Sequence, residues 1–156
     1  EQDIREISHD LNREKSELIN NFIAILNKLF EDQQNTYDAE LITSFDSNIK
    51  WELVSNAVKI NLYRIVQEAL QNCNKYANAN TIKVAFKSEI NHMVLSISDD
   101  GVGFNAKRAK DGIGLHNIQY RAAECKGIVT LKSAKGEGTL LIIKIPIDQK
   151  INLQNK

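Results

Sequence analysis

Residues 81–104 read TIKVAFKSEINHMVLSISDDGVGF. Thr81 to Ser88 and Met93 to Ser98 are alternating, β-branched-rich runs, and the short polar break from Glu89 to His92 predicts that they form a hairpin. The second strand runs directly into Asp99, Asp100, Gly101, Val102, Gly103 and Phe104, an acidic strand end followed by a glycine turn. Upstream, Val54, Val58, Leu62, Ile65, Val66, Ala69, Leu70, Cys73 and Ala77 trace one apolar stripe at helical spacing and predict a long helix. Before it, Leu18, Phe22, Ile25, Leu26, Leu29 and Phe30 place a helix over residues 18–34, and Leu41 to Phe45 reads as a strand. After the glycine turn, Leu115 to Lys126 reads as a helix ended by Gly127 as a left-handed cap. Ile128 to Ser133 and Thr139 to Ile147 then form a closing hairpin. Helices interleaved with hairpins imply an α+β, two-layer α/β sandwich, its mixed but mainly antiparallel sheet covered on one face by helices.

A chain of 156 residues with 42% hydrophobic side chains holds one domain with one core. The domain is expected over residues 18–148, with residues 149–156 a flexible tail and residues 1–17 a separate stub. In that stub Ile4, Ile7 and Leu11 mark a short amphipathic helix, and because the chain starts at Glu1 inside this pattern it reads as an excised piece. Twenty basic residues balance twenty acidic ones, so no cationic excess is available to hold a polyanion by counterion release, and no nucleic-acid partner is expected. The apolar runs fall far short of the roughly 20 residues that cross a bilayer, so no direct membrane contact is expected. Cys73 and Cys125 sit in helical patterns without any CxxC, which suits a reducing, cytoplasmic setting. Trp51 and Tyr37 read as packing aromatics, and His92 and His116 as solvent-facing.

Six of the seven glycines fall into three pairs of spacing two: Gly101/Gly103, Gly112/Gly114 and Gly136/Gly138. Any one pair is an ordinary tight turn, but three together with their neighbours suggest backbone shaped around a ligand. On the long helix, Glu68 and Asn72 stand one turn apart, a carboxylate and an amide that offer oxygen to a hydrated Mg²⁺. Lys75 and Tyr76 continue that polar band. A buried Asp99 would accept a hydrogen bond from an exocyclic amine and would repel a carbonyl, which favours adenine over guanine. The loop carrying Lys107, Arg108 and Lys110 ends at Gly112, Ile113, Gly114 and Leu115, a glycine-rich lead into a helix N-terminus suited to phosphate.

Arg64 to Asn72 (RIVQEALQN) with Lys75 and Tyr76 resembles the N box of sensor histidine kinases. Asp99 to Phe104 resembles their first glycine box, Gly112 to Leu115 the second, and Gly136, Glu137, Gly138 and Thr139 the last, in the family's order. The resemblance covers residues from about 18 to 147 and extends to the gyrase, chaperone and mismatch-repair ATPases of the same superfamily, whose sandwich is called Bergerat-type. The short lid and the N-box wording are similar to the subfamily paired with helix-turn-helix response regulators. The resemblance implies ATP and Mg²⁺ as ligands. Asn72, with Glu68 beside it, would hold the metal to the phosphates, while Lys75 and Tyr76 would line the phosphate and ribose side. Asp99 would read adenine beside Gly101 and Gly103; Gly112 and Gly114 would hinge the lid ahead of Leu115; Gly138 and Thr139 would close the base pocket. Phosphoryl would pass to a histidine on the kinase's own dimerisation helices, in a homodimer, and on to a response regulator.

His9 with Asp10 is similar to the family's phosphoacceptor pair, but only one further helix fits between it and the N box. Glu14 stands where the family has glutamine, and Leu11 where it often has glycine. His9 therefore reads as a helix-face residue near the end of the dimerisation hairpin, and the fragment as lacking its acceptor. An ATPase or a serine kinase of the same superfamily, or a non-catalytic nucleotide-binding scaffold, are the alternative readings.

Overall fold

The computed structural model describes residues 15–105 and 115–147. Residues 1–14 of the stub, the tail, the loop lysines and arginine, and the roles read for His9, Gly112 and Gly114 lie outside the described residues, while residues 15–17 begin the first helix. The first helix, α1, runs Lys15–Thr36 with a break in its backbone at Asn21 (φ −133°, ψ 32°), and β1 follows at Glu40–Phe45. A 3-10 turn at Trp51–Leu53 leads into α2, Asn56–Asn72, whose start is capped by the Ser55 hydroxyl accepting the Val58 amide at 3.2 Å. The hairpin strands are β2 (Thr81–Glu89) and β3 (His92–Asp99), joined by the two-residue turn Ile90–Asn91 with Asn91 at φ 60°. Helix α3 (Leu115–Glu124) precedes β4 (Ile128–Ser133) and β5 (Thr139–Pro146).

The five strands lie in the order β1-β2-β3-β5-β4; β1 runs parallel to β2 and every other pairing is antiparallel. One residue of each alternating pair points to the helices: Ile82, Val84 and Phe86 on β2, Met93, Leu95 and Ile97 on β3, and Leu141, Ile143 and Ile145 on β5, all buried. Against them pack Leu62, Ile65, Val66 and Leu70 of α2, Phe22, Leu26 and Phe30 of α1, and Ile118 and Ala122 of α3. The opposite face carries Lys83, Lys87 and Lys144, with Lys144 paired to Glu89 at 3.0 Å. This is the expected two-layer α+β sandwich. No helix of the described residues is long and apolar enough to cross a membrane.

Three details depart from the sequence reading. The apolar stripe from Val54 to Ala77 is not one helix. Val54 precedes the Ser55 cap, and after Asn72 the chain widens into a π-helical turn, Cys73–Ala77, that ends on Asn78 in the left-handed region (φ 47°). Gly127 is not the left-handed residue of its cap. Lys126 takes that conformation (φ 57°), donating to Ala123 while the Gly127 amide reaches back to the Ala122 carbonyl at 2.7 Å, the paired bonding of a Schellman ending. Glycine at 127 eases a tight fit, since a Cβ there would lie 3.1 Å from the Ala122 oxygen and 3.2 Å from Ile145, which would have to yield by a few tenths of an ångström. Trp51 packs between Phe22 and Phe86, with ring centroids 5.2 and 5.4 Å away, whereas Tyr37, in the connection between α1 and β1, is 43% exposed.

Candidate functional site

The π-helical turn, the end of β3 and the start of β5 converge on one cavity of about 220 Å³. Ile97 and Leu141 of the sheet form its floor, Ala69, Asn72, Cys73, Tyr76 and Ala77 one wall, and Leu115 and Ile118 of α3 another. Asp99, Gly103, Phe104 and Thr139 close it. The lining is apolar apart from a few polar groups, the usual character of a small-molecule site.

Asp99 is half-buried at the last position of β3. Its Oδ1 accepts the Gly101 amide at 2.9 Å, and its Oδ2 faces the Cys73 thiol, which donates to it at 3.6 Å. Burial first, and then the Asp99 charge and that hydrogen bond, push the Cys73 thiol up to about 12, so it stays a protonated donor. The sequence marks Cys73 only as one residue of an apolar stripe, and its place one turn after Ala69 in that stripe is the signal that it shares the cavity wall.

The neighbouring Asp100 points elsewhere. Its Oδ1 accepts the Asn80 and Thr81 amides at 2.8 and 2.9 Å, and these bonds, that to Thr81 the stronger, hold its carboxyl below the ordinary carboxylate value. One acid of the pair thus fastens the strand end, leaving the other to the cavity.

The first and third glycine pairs meet around Asp99. A Cβ on Gly101 would lie 2.1 Å from the Ala77 carbonyl oxygen, which the Val102 amide bonds at 2.8 Å. Gly103, at φ +65°, passes so close to the other loop that its Cβ would meet the Ala134 oxygen at 2.1 Å. A Cβ on Gly138, at φ +73°, would meet the Asp99 carbonyl oxygen at the same distance, and the Gly136 amide bonds the Val102 carbonyl at 2.6 Å.

Ser133, which the sequence reading passed over, knits these loops together. Its hydroxyl accepts the Phe104 amide, donates to the Gly138 carbonyl and shares a hydrogen bond with the Thr139 hydroxyl, each at 2.9 Å. A serine hydroxyl has one hydrogen, so with that hydrogen on Gly138 the Thr139 hydroxyl is the donor and its own oxygen keeps its lone pairs.

Of the remaining candidates, Leu115 lies on the cavity wall, and Tyr76 lines it while 51% exposed. Glu68 is half-buried one turn before Asn72 but is not part of the lining, and Lys75 is exposed outside it. The π-helical turn explains the split: the α-helical spacing that would align Lys75 and Tyr76 with Asn72 does not hold past residue 72.

Residues 57–149 match the family model described as Histidine kinase-, DNA gyrase B-, and HSP90-like ATPase, and the chain belongs to that family. Within it, the chain is an ATP-binding domain of the histidine-kinase kind. Over 108 residues, 67% of the chain, it is 33% identical to the oxygen sensor histidine kinase NreB of Staphylococcus carnosus (strain TM300), of whose length it spans 30%. Its fold is similar to that of the histidine kinase domain of the blue-light activated histidine kinase of Erythrobacter litoralis EL346. There the TM-score is 0.69 at 16% identity, over 85% of this chain and 68% of that one. It is similar also to the Acinetobacter baumannii histidine kinase AdeS, with a TM-score of 0.65 at 17% identity over 82% of this chain and 64% of that one.

Proposed function

We propose that the cavity binds Mg·ATP and that, in the protein to which this domain belongs, the γ-phosphoryl passes to a histidine on that protein's dimerisation helices and then to a response regulator. The carrying observation is the Asp99 carboxylate set in the wall of an apolar cavity, with both of its oxygens already oriented by the Gly101 amide and the Cys73 thiol. A carboxylate and a threonine oxygen without a hydrogen to give present acceptors only. A base entering here must bring donors, as the exocyclic amine of adenine does. Guanine seated in the same orientation would set its ring carbonyl, in the place of that amine, against them. Ile97, Leu141, Leu115 and Ile118 supply flat apolar contact for the ring.

Asn72 stands at the edge of that cavity with a carboxamide oxygen, and Glu68 one turn before it adds a carboxylate. Mg²⁺ keeps most of its waters and takes one or two protein oxygens beside those of the phosphates, a demand this pair meets. When bound, the metal supplies charge neutralisation to the transferring group. The protein's part in phosphoryl transfer is chiefly positioning. Here the base is held at Asp99 and the polyphosphate is led past Tyr76 toward α3, where Gly112 and Gly114 would hinge a lid ahead of Leu115. His9 is read as a helix-face residue, with the acceptor elsewhere, and residues 1–17 as the end of the dimerisation hairpin. ATP as substrate and two free thiols, Cys73 and Cys125, suit a cytoplasmic site.

The test is incubation of the protein carrying its dimerisation helices with γ-labelled ATP and Mg²⁺. The proposal requires an acid-labile, alkali-stable phosphoprotein that disappears with Asn72→Ala and with Asp99→Asn. Acid-stable label would indicate a serine kinase, release of phosphate without label an ATPase, and neither product a scaffold.

A further inference from the structure

The side chains of Gln33 and Asn74 form a closed amide pair. Gln33 Nε2 donates to Asn74 Oδ1 at 2.7 Å, and Asn74 Nδ2 donates back to Gln33 Oε1 at 3.0 Å. Gln33 lies in the last turns of α1 and is only 7% exposed, so its amide has been taken out of water for this partner. Asn74 belongs to the π-helical turn Cys73–Ala77, of which Cys73, Tyr76 and Ala77 line the cavity while Asn74 and Lys75 do not. The turn thus shows one side to the ligand space and is held from the other by α1. A π-helical turn is a rare local conformation that depends on its surroundings. It has no side-chain cap at its start, and the pair ties it to a helix 41 residues away in sequence.

We infer that Gln33 and Asn74 are positioning residues for nucleotide binding: the amide pair sets the roll of the π-helical turn, and so the places of Cys73, Tyr76 and Ala77 in the cavity wall, according to where α1 lies. Cys73 carries this to Asp99 through its thiol, and Ala77 carries it to the glycine loop through the bond from Val102. A shift of α1 therefore alters the base pocket without touching it. The inference rests on the cavity being the ATP site.

Calorimetric titration of Mg·ATP into the wild type, Gln33→Ala, Asn74→Ala, the double alanine variant and the exchanged pair Gln33→Asn with Asn74→Gln tests it, with a thermal melt of each. A buried contact pair couples its two members, so each single change should weaken ATP roughly threefold to tenfold and the double change no more than either. The exchanged pair keeps both amides and the same number of methylenes and should recover most of the affinity. Unchanged affinity in both singles, additive losses, or losses that merely follow the folded fraction seen in the melts would overturn the inference. Should the wild type itself give no ATP heat, the ATP reading falls first and on its own.

Discussion

Gly101→Ala isolates the role of close packing at the site, because this glycine is not in the left-handed region and its replacement adds no backbone strain. The new Cβ would lie 2.1 Å from the Ala77 oxygen, 2.7 Å from its carbonyl carbon and 2.9 Å from its Cβ. Ordinary carbon contacts lie near 3.5–4.0 Å, so the two backbones must part by roughly 1 Å or more. The Val102 to Ala77 bond of 2.8 Å is lost in doing so. Overpacking costs about 1–3 kcal/mol, and a lost backbone hydrogen bond adds about 1 kcal/mol. The total of about 2–4 kcal/mol is a large part of the ~5–15 kcal/mol that holds a domain folded. At about 2–4 °C per kcal/mol for a chain of this length, melting should fall by roughly 4–16 °C. Parting the loop from the π-helical turn also separates Asp99 from Cys73, so ATP affinity should drop by more than about tenfold, a loss of ~1.4 kcal/mol. Gly136→Ala is the control. It takes a φ of +81° but meets nothing within 4 Å, so it should cost only the ~1–2 kcal/mol of left-handed backbone and leave ATP affinity nearly unchanged. Scanning calorimetry and ATP titration of both variants decide the matter. A Gly101→Ala protein that melts and binds like the wild type, or a Gly136→Ala protein that loses ATP equally, would refute the reasoning.

Ser133→Ala removes the partner of the Phe104 amide together with the links to Gly138 and Thr139, and should lower stability by about 1–3 kcal/mol in urea titrations. Its ATP affinity should fall several-fold, since both glycine loops lose their common tie. Asp46, held below the usual 3.8 by the Ser88 and Asn48 amides, and Asp100, held down by those of Thr81 and Asn80, have lower pKa values folded than unfolded. Their contribution is therefore present above 3.8 and is lost as the pH falls through the folded values. Urea midpoints measured from pH 6 down to pH 3 should decline at the acid end, and Asp46→Asn with Asp100→Asn should flatten that decline. An unchanged slope in the double variant would contradict the assignment.

Much of this molecule could be read from its residues because its periodicities are clean. The alternation along 81–88 and 93–98 and the apolar run 139–147 placed three sheet strands, and the stripe from Val58 to Leu70 placed the helix that covers them. Reading failed where local and tertiary demands diverge. The stripe runs on through Cys73 and Ala77 in sequence, but the backbone widens into a π-helical turn there, which no apolar pattern announces. The glycine at 101 looks like a turn former and is instead a gap through which the Ala77 backbone passes. A serine inside a strand, Ser133, gives no sign that three partners from two loops will meet on its hydroxyl. Asp99 and Asp100 are chemically identical neighbours, and only the strand's alternation decides which one faces the cavity.

The base-reading role of Asp99 is tested most directly by calorimetric titration of ATP and of GTP, each with Mg²⁺, into the wild type and Asp99→Asn. The account predicts a saturable ATP isotherm for the wild type, its loss in the variant, and no GTP heat from the wild type. Equal ATP heats from both proteins, or GTP binding as tightly as ATP to the wild type, would contradict it.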